Sequence, residues 1–461
     1  EADSDGDGNG ESVSVAAAVG VNVANSETKA SVGTGRTITS TGGALRVTST
    51  AETDAKALAD GKATVVPPAD EGGEAGSGAD VGVGVGVAVN SAKANNTAIV
   101  SSGTNVNTQG LTVQAGMAAE DVDKGNNGKN DFVAESISGA GAADVGVAGS
   151  LAINIVENTS QASVGGVGST VQAGTGDILI EANNVSTSTV KAAANVTVSG
   201  GDVGVGASVG VNVAVNKAIA EVADHTVLSG GRNMEVNAKA DHAMSTELVG
   251  GSAGAKTSIT PVVAVAIAVN TTQARVGASA TGLNLSGAFS SSAEQSNAMV
   301  TKATAQAQGD TAVGASLAAA IAVDEVSAEL QRNIDTSTGV ELVALSETSI
   351  TTETTAGAKG AKKAKTNAST GEEEPEAGTT VDEQKKNQLD FAKSRNAGAS
   401  GVDTNTPEAK TPDTSSKTPG TEKPTQASEQ TRKDQDGKKI SVAAAIGVSV
   451  ARNQGRAEIG Q

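Results

Sequence analysis

Hydrophobic and small or polar residues alternate along this chain with a period of two, over long runs. Between Val203 and Asn216, one set of alternate positions holds Val203, Val205, Ala207, Val209, Val211, Val213 and Val215. The other set holds Gly204, Gly206, Ser208, Gly210, Asn212, Ala214 and Asn216. The same alternation runs from Ile440 to Ala451. A helix would scatter these valines around its surface, whereas a strand sends alternate side chains to opposite faces, so the pattern predicts long β-strands. The branched set is expected to be buried. The Gly, Ala and Ser set is expected to let a second backbone layer come close. Branched residues favour strands and glycine weakens them, so contact with neighbouring strands must hold these segments in place.

The pattern recurs. Copies aligned without gaps end at Val32, Val100, Val164, Val222, Val276, Leu330 and Ile459, giving intervals of 68, 64, 58, 54, 54 and 129 residues. The repeat strands fall near 12–32, 80–100, 144–164, 202–222, 256–276 and 310–330. Within each copy, Asn90-Ser91, Asn158-Thr159, Asn216-Lys217 and Asn270-Thr271 predict a polar corner, because asparagine tolerates left-handed backbone. A short strand ending at Val100, Val164, Val222 or Ile459 should follow. A third strand is predicted at Leu45–Val47, Leu111–Val113, Ile178–Ile180, Met234–Val236 and Glu341–Val343, each after a turn. The simplest architecture is all-β: an elongated, β-helix-like β-solenoid of stacked repeats of about 54–68 residues. It occupies residues 1–355 and resumes over 439–461. Between them, 356–438 is rich in Lys, Glu and Thr and holds five of the eight prolines, which predicts a disordered insert.

Composition narrows the function. Aromatic residues make up 1% of the chain, with no Trp or Tyr, and Gly numbers 57, so a large globular core is not expected. The absence of cysteine excludes disulfides and thiolate chemistry. A formal net charge of −19 repels nucleic acid and anionic lipid. The sequence starts and stops in mid-pattern, which suggests a segment of something longer whose free strand edges self-associate end to end. A transmembrane barrel would suit the alternation, but it needs aromatic girdles that the composition lacks.

Few residues suggest chemistry. Asp3, Asp5, Asp7 and Asn9 follow the first half of a calcium loop, but Ser14 stands where a bidentate acid is required. Asp121 and Asp123 form a shorter acidic turn. Calcium is the one cofactor these turns could take, and a solvated acidic turn is the plainer reading. Gly82, Gly84 and Gly86 mimic a phosphate-binding loop but lie inside a predicted strand. His225 and His242 show no nucleophile constellation in sequence. No catalytic residue is assigned, and no small-molecule substrate is expected.

The string from Asp202 to Val222, followed by a glycine turn and a strand of the Met234–Val236 type, resembles the β-strand repeats of giant bacterial surface proteins. These are the filamentous-haemagglutinin-like and leukotoxin-family filamentous adhesins. The resemblance covers nearly all of the chain outside 356–438. It implies a secreted, extracellular stalk or filament at the bacterial cell surface that supports attachment or aggregation without catalysis. The implied partners are neighbouring repeats of the same chain and a host or partner-cell surface. A calcium-binding or surface-binding repeat module and a membrane-embedded β protein are the alternatives.

Overall fold

A computed structural model describes residues 13–63, 80–121, 126–198, 201–360 and 440–460. Among them there are strands and turns but no helix. Two long walls of parallel strands face each other, and a short third wall closes one end. The first wall stacks β1 (Val13–Val32), β5 (Val81–Val100), β9 (Val145–Val164), β12 (Val203–Val222), the second half of β14 (Met234–Val276), the second half of β16 (Ala288–Leu330) and β19 (Ile440–Ile459). The second wall contains β3 (Leu45–Ala51) with β4 (Ala55–Ala63), and β7 (Leu111–Met117) with β8 (Asn130–Ala142). It continues through β11 (Ile178–Val198), the first halves of β14 and β16, and β18 (Gly339–Gly360). The short wall is built from β2 (Thr37–Thr39), β6 (Asn105–Asn107), β10 (Thr170–Gln172) and β13 (Val227–Ser229). The pair β15 (Leu283–Asn284) and β17 (Ile334–Thr336) extends the series. This arrangement is β-helix-like.

The sequence repeat is the hydrogen-bond register. Val32, Val100, Val164, Val222, Val276, Leu330 and Ile459 pair in one continuous column. Leu45, Leu111, Ile178, Met234, Phe289 and Val340 form another on the second wall. The first wall stacks seven strands at about 4.8 Å spacing, a rise of about 29 Å, while each 20-residue strand spans about 66 Å. The described part is therefore a broad slab, and elongation along the stacking axis depends on how many repeats follow one another. The strand β18 runs to Gly360, into the range assigned to the insert, and the repeat resumes at Ile440 beside β16. Residues 361–439 lie outside the described residues.

Two expectations are corrected. The asparagines of the repeat do not turn the chain, because each first-wall strand runs on through them for 20 residues. The inside and outside are also reversed. The Gly, Ala, Ser and Asn set points inward, with Ala88, Asn90, Ala98 and Val100 fully buried, and the branched set points out.

The cross-section explains the reversal. Where the strands of the first wall begin, the two walls nearly touch. A Cβ at Gly84 would overlap the carbonyl of Gly139, one at Gly206 that of Gly251, and one at Gly61 that of Val85. A branched side chain fits there only opposite a glycine, as Val196 and Val198 do against Gly146 and Val262 against Gly250. Toward the short wall the gap widens, and the interior fills with Val100, Leu111, Ile178, Leu228, Met234 and Phe289. Side-chain size thus rises along each strand with the distance between the walls, as close packing demands. At the narrow edge, Gly254 takes a φ of 91° and lets β14 pass directly from one wall to the other.

Candidate functional site

Two features could carry function: the outer surface of the first wall and a polar line through the interior. On the outer surface, each position of the repeat forms a column. Val15, Val83, Val147, Val205, Ile259, Val313 and Val442 make one ridge. Val19, Val87, Leu151, Val209, Val263, Leu317 and Ile446 make a second. Between them runs a column of mostly small residues, Ala17, Val85, Gly149, Ala207, Pro261, Ala315 and Ala444. A Cβ built on Gly149 would meet nothing within 4 Å, so the column forms a furrow open to solvent there, interrupted at Val85 and Pro261. Exposure on the wall reaches 76% at Val23, 48% at Ile155 and 50% at Val450.

Further along the same strands the surface turns polar and both signs alternate. Lys93 pairs with Glu157 at 2.9 Å, and Arg456 with Glu329 at 2.5 Å. Arg275 stands between Glu221 and Glu329 in their column. The outside of the second wall is polar as well, with the column Glu135, Lys191, Glu247, Lys302 and Glu353 alternating in sign at every layer. Exposed pairs of this kind add little stability, but a layer placed out of order would set like charges side by side.

Inside, the repeat asparagines form amide ladders. Asn22 donates to Asn90 at 2.7 Å and Asn90 donates to Asn154 at 2.8 Å. Asn154 continues to Ser188, which donates to Asn212. A second line runs from Asn216 to Asn270 and on to Asp324. Asp324 is buried, and its carboxyl oxygens accept from Asn270, Asn297 and Thr348. Stacked identical amides satisfy one another, which makes a polar residue tolerable in a thin core. At a wide corner, Arg332 is buried and donates to the carbonyls of Gly277 and Thr226, tying separate layers together. Burial lowers its pKa to about 10.

The residues singled out for chemistry are dispersed. Asp3, Asp5, Asp7, Asn9 and Asp123 lie outside the described residues, and Asp121 makes a backbone bridge with Asn126. Among the described residues, no group of three or more His, Asp or Glu converges on a point that could hold a metal. Gly82, Gly84 and Gly86 sit mid-strand against the opposite backbone, where no phosphate can enter. His225 occupies a turn with a φ of 63°.

His242 was not expected inside the fold. Its Nδ1 lies 2.9 Å from Ser186 Oγ, beside a cavity of about 10 Å³ lined by Phe132, Met244 and Asn297. This serine–histidine pair is sealed, and a cavity of that size admits no substrate. Burial opposes the imidazolium and lowers the His242 pKa from 6.5 to about 3. Between those values the unfolded chain holds the extra proton, so this contribution is complete above pH 6.5 and declines as pH falls toward 3. At pH 5 the loss should be about 2 kcal/mol. Urea titrations between pH 4 and 7 should show this slope, and His242→Gln should flatten it. An unchanged slope in the variant would assign it to carboxyl groups.

Asp177, on the surface, is also shifted down, but by pairing that favours its charged form rather than by burial. Bonds from Arg232, at 2.5 Å, and from Asn233 hold its pKa down to about 2 despite some desolvation.

Compared with known proteins, the chain matches no family model, no curated sequence and no solved structure.

Proposed function

We propose that this chain is a structural, non-catalytic β-solenoid segment of a very large secreted bacterial surface adhesin, serving as part of a stalk or filament in cell attachment or aggregation. The observation that carries the reading is the one-to-one stacking of every sequence repeat on the next, in unbroken parallel register. Such a stack grows by adding identical layers and needs no cofactor to close. Its first partners are neighbouring repeats of the same chain, and the setting is extracellular. Calcium remains a ligand for the acidic turns only.

A membrane-embedded β protein is the second reading, and the outward aliphatic wall favours it. Against it, the second wall presents Glu and Lys columns outward, so lipid could cover one side only. The chain also has no Trp or Tyr to seat at a membrane interface.

Circular dichroism and small-angle X-ray scattering, with calcium and with chelator, test the proposal. The expected result is a β spectrum and slab-like scattering that are the same in both conditions. Order that appears only with calcium would move the function to the acidic turns. A need for detergent to stay in solution would support the membrane reading.

A further inference from the structure

The outward aliphatic surface is large, flat and regular. It spans the first eleven residues of each first-wall strand, Val145 to Ile155 in β9, across seven strands, with Ser91, Thr257 and Thr311 as polar positions at its margins. At about 3.3 Å per residue and about 4.8 Å per strand, it measures roughly 36 by 29 Å, or about 1,000 Å². Monomeric proteins rarely expose apolar patches above about 600 Å². Two such surfaces brought together would bury about 2,000 Å², the upper end of the range for stable specific pairs.

We propose that this wall pairs two copies of the chain face to face. The proposal is independent of the adhesin reading. A two-fold pair requires a self-complementary patch, and this one is self-complementary. Place the axis parallel to the stacking direction, between the Gly149 column and the Leu151 column. The Leu151 ridge then enters the partner's furrow at Ala17, Gly149, Ala207, Ala315 and Ala444 and rests on Val85 and Pro261 in the other two layers. The outer columns also match, with position 145 over 155 and position 147 over 153. The overlap therefore covers the six outward positions from 145 to 155, and the rest of each strand projects beyond the partner, beginning with Lys93, Glu157 and Arg452 in three layers and with Val215, Val269 and Val323 in three others. The separation would be that of two packed sheets, about 10 Å. A lipid surface is the less fitting occupant, because the chain is strongly acidic and has no interfacial aromatics.

Light scattering and sedimentation of the whole chain at about 100 μM, where an interface of this size should form the pair, give the direct test. The expected mass is twice 44.7 kDa. Filling the furrow with Gly149→Leu and Ala207→Leu keeps the wall apolar but blocks the ridge. It should weaken pairing by about tenfold or more with an unchanged circular dichroism spectrum. Val209→Lys with Val263→Lys should yield a monomer. A single-chain mass at every concentration would overturn the proposal. So would association that ignores the filled furrow, or a monomer captured by phosphatidylcholine vesicles.

Discussion

Gly206→Val should destabilise the stack by at least about 3 kcal/mol, or prevent it from forming, while Gly149→Val should change stability by no more than about 0.5 kcal/mol. The two glycines lie in first-wall strands of neighbouring copies of the repeat, one position apart in register, since Gly206 pairs with Ala148. They differ only in direction. Gly206 points inward, where a Cβ would overlap the Gly251 carbonyl and come within 2.9 Å of its carbon. Backbone on both sides leaves nothing flexible to move. Gly149 points outward into open space, where a branched side chain suits a strand. Urea denaturation followed by circular dichroism measures both. Equal costs would mean that the walls do not close to glycine contact at the narrow edge.

That narrow edge has a consequence for function. Because the walls meet at glycine distance, the interior has no room for branched residues on both walls of a layer, and most of those in the first wall are forced outside. The aliphatic wall is thus coupled to the thin core. A chain that alternates Val with Gly and closes on its Gly side must display its Val side. The apolar surface follows from the same alternation that builds the strands, and the charged columns beside it limit its extent.

Much of this was legible in the residues. The gapless alignment of the copies gave the strand-to-strand register, including the column from Val32 to Ile459. The second-wall strands at Leu45, Leu111, Ile178 and Met234 were visible as well. Which face is inside was not, because alternation defines two sets and is silent on which one is enclosed. The usual rule that branched residues are buried presumes a gap between sheets of about 10 Å, and Gly84 opposite Gly139 removes it. The asparagines misled for a related reason. Turn chemistry was the stronger local signal, yet Asn158, Asn216 and Asn270 share one repeat position and Asn90 shares another with Asn22 and Asn154, and identity in register is the mark of a stacked amide ladder. The three-residue strands such as Asn105–Asn107 were too short to show a period. The Ser186–His242 contact joins register partners on neighbouring strands of the second wall, 56 residues apart as Ile178 is from Met234, so only the aligned repeat and no local pattern encodes it.

Asp324→Ala should cost about 3–5 kcal/mol, whereas Asp324→Asn should cost about 1 kcal/mol. Asp324 stands in the column of Asn216 and Asn270, as the one acid where neighbouring layers carry an amide. Asn270 reaches its Oδ1 at 2.7 Å, and Thr348 reaches its Oδ2 at 2.6 Å. Asn297 bridges both oxygens at 3.1 and 3.2 Å. Truncation to alanine leaves two buried amide donors, Asn270 and Asn297, and the half-buried Thr348 hydroxyl without this acceptor, and each buried loss is worth about 1–3 kcal/mol. Asparagine keeps one acceptor for Asn270 and Asn297, and the Thr348 hydroxyl can rotate to accept from the new amide. The two variants separate two accounts of the ladder. If the line of amides holds neighbouring layers in register through hydrogen bonds, the alanine variant should lose far more than the asparagine variant. It should also expose β18 and β19 to hydrogen exchange before β9 and β12, because Asp324 pairs with Asn453 and bonds Thr348 on that side. Equal losses would mean that the charge of Asp324, rather than its acceptor geometry, is what the layer requires.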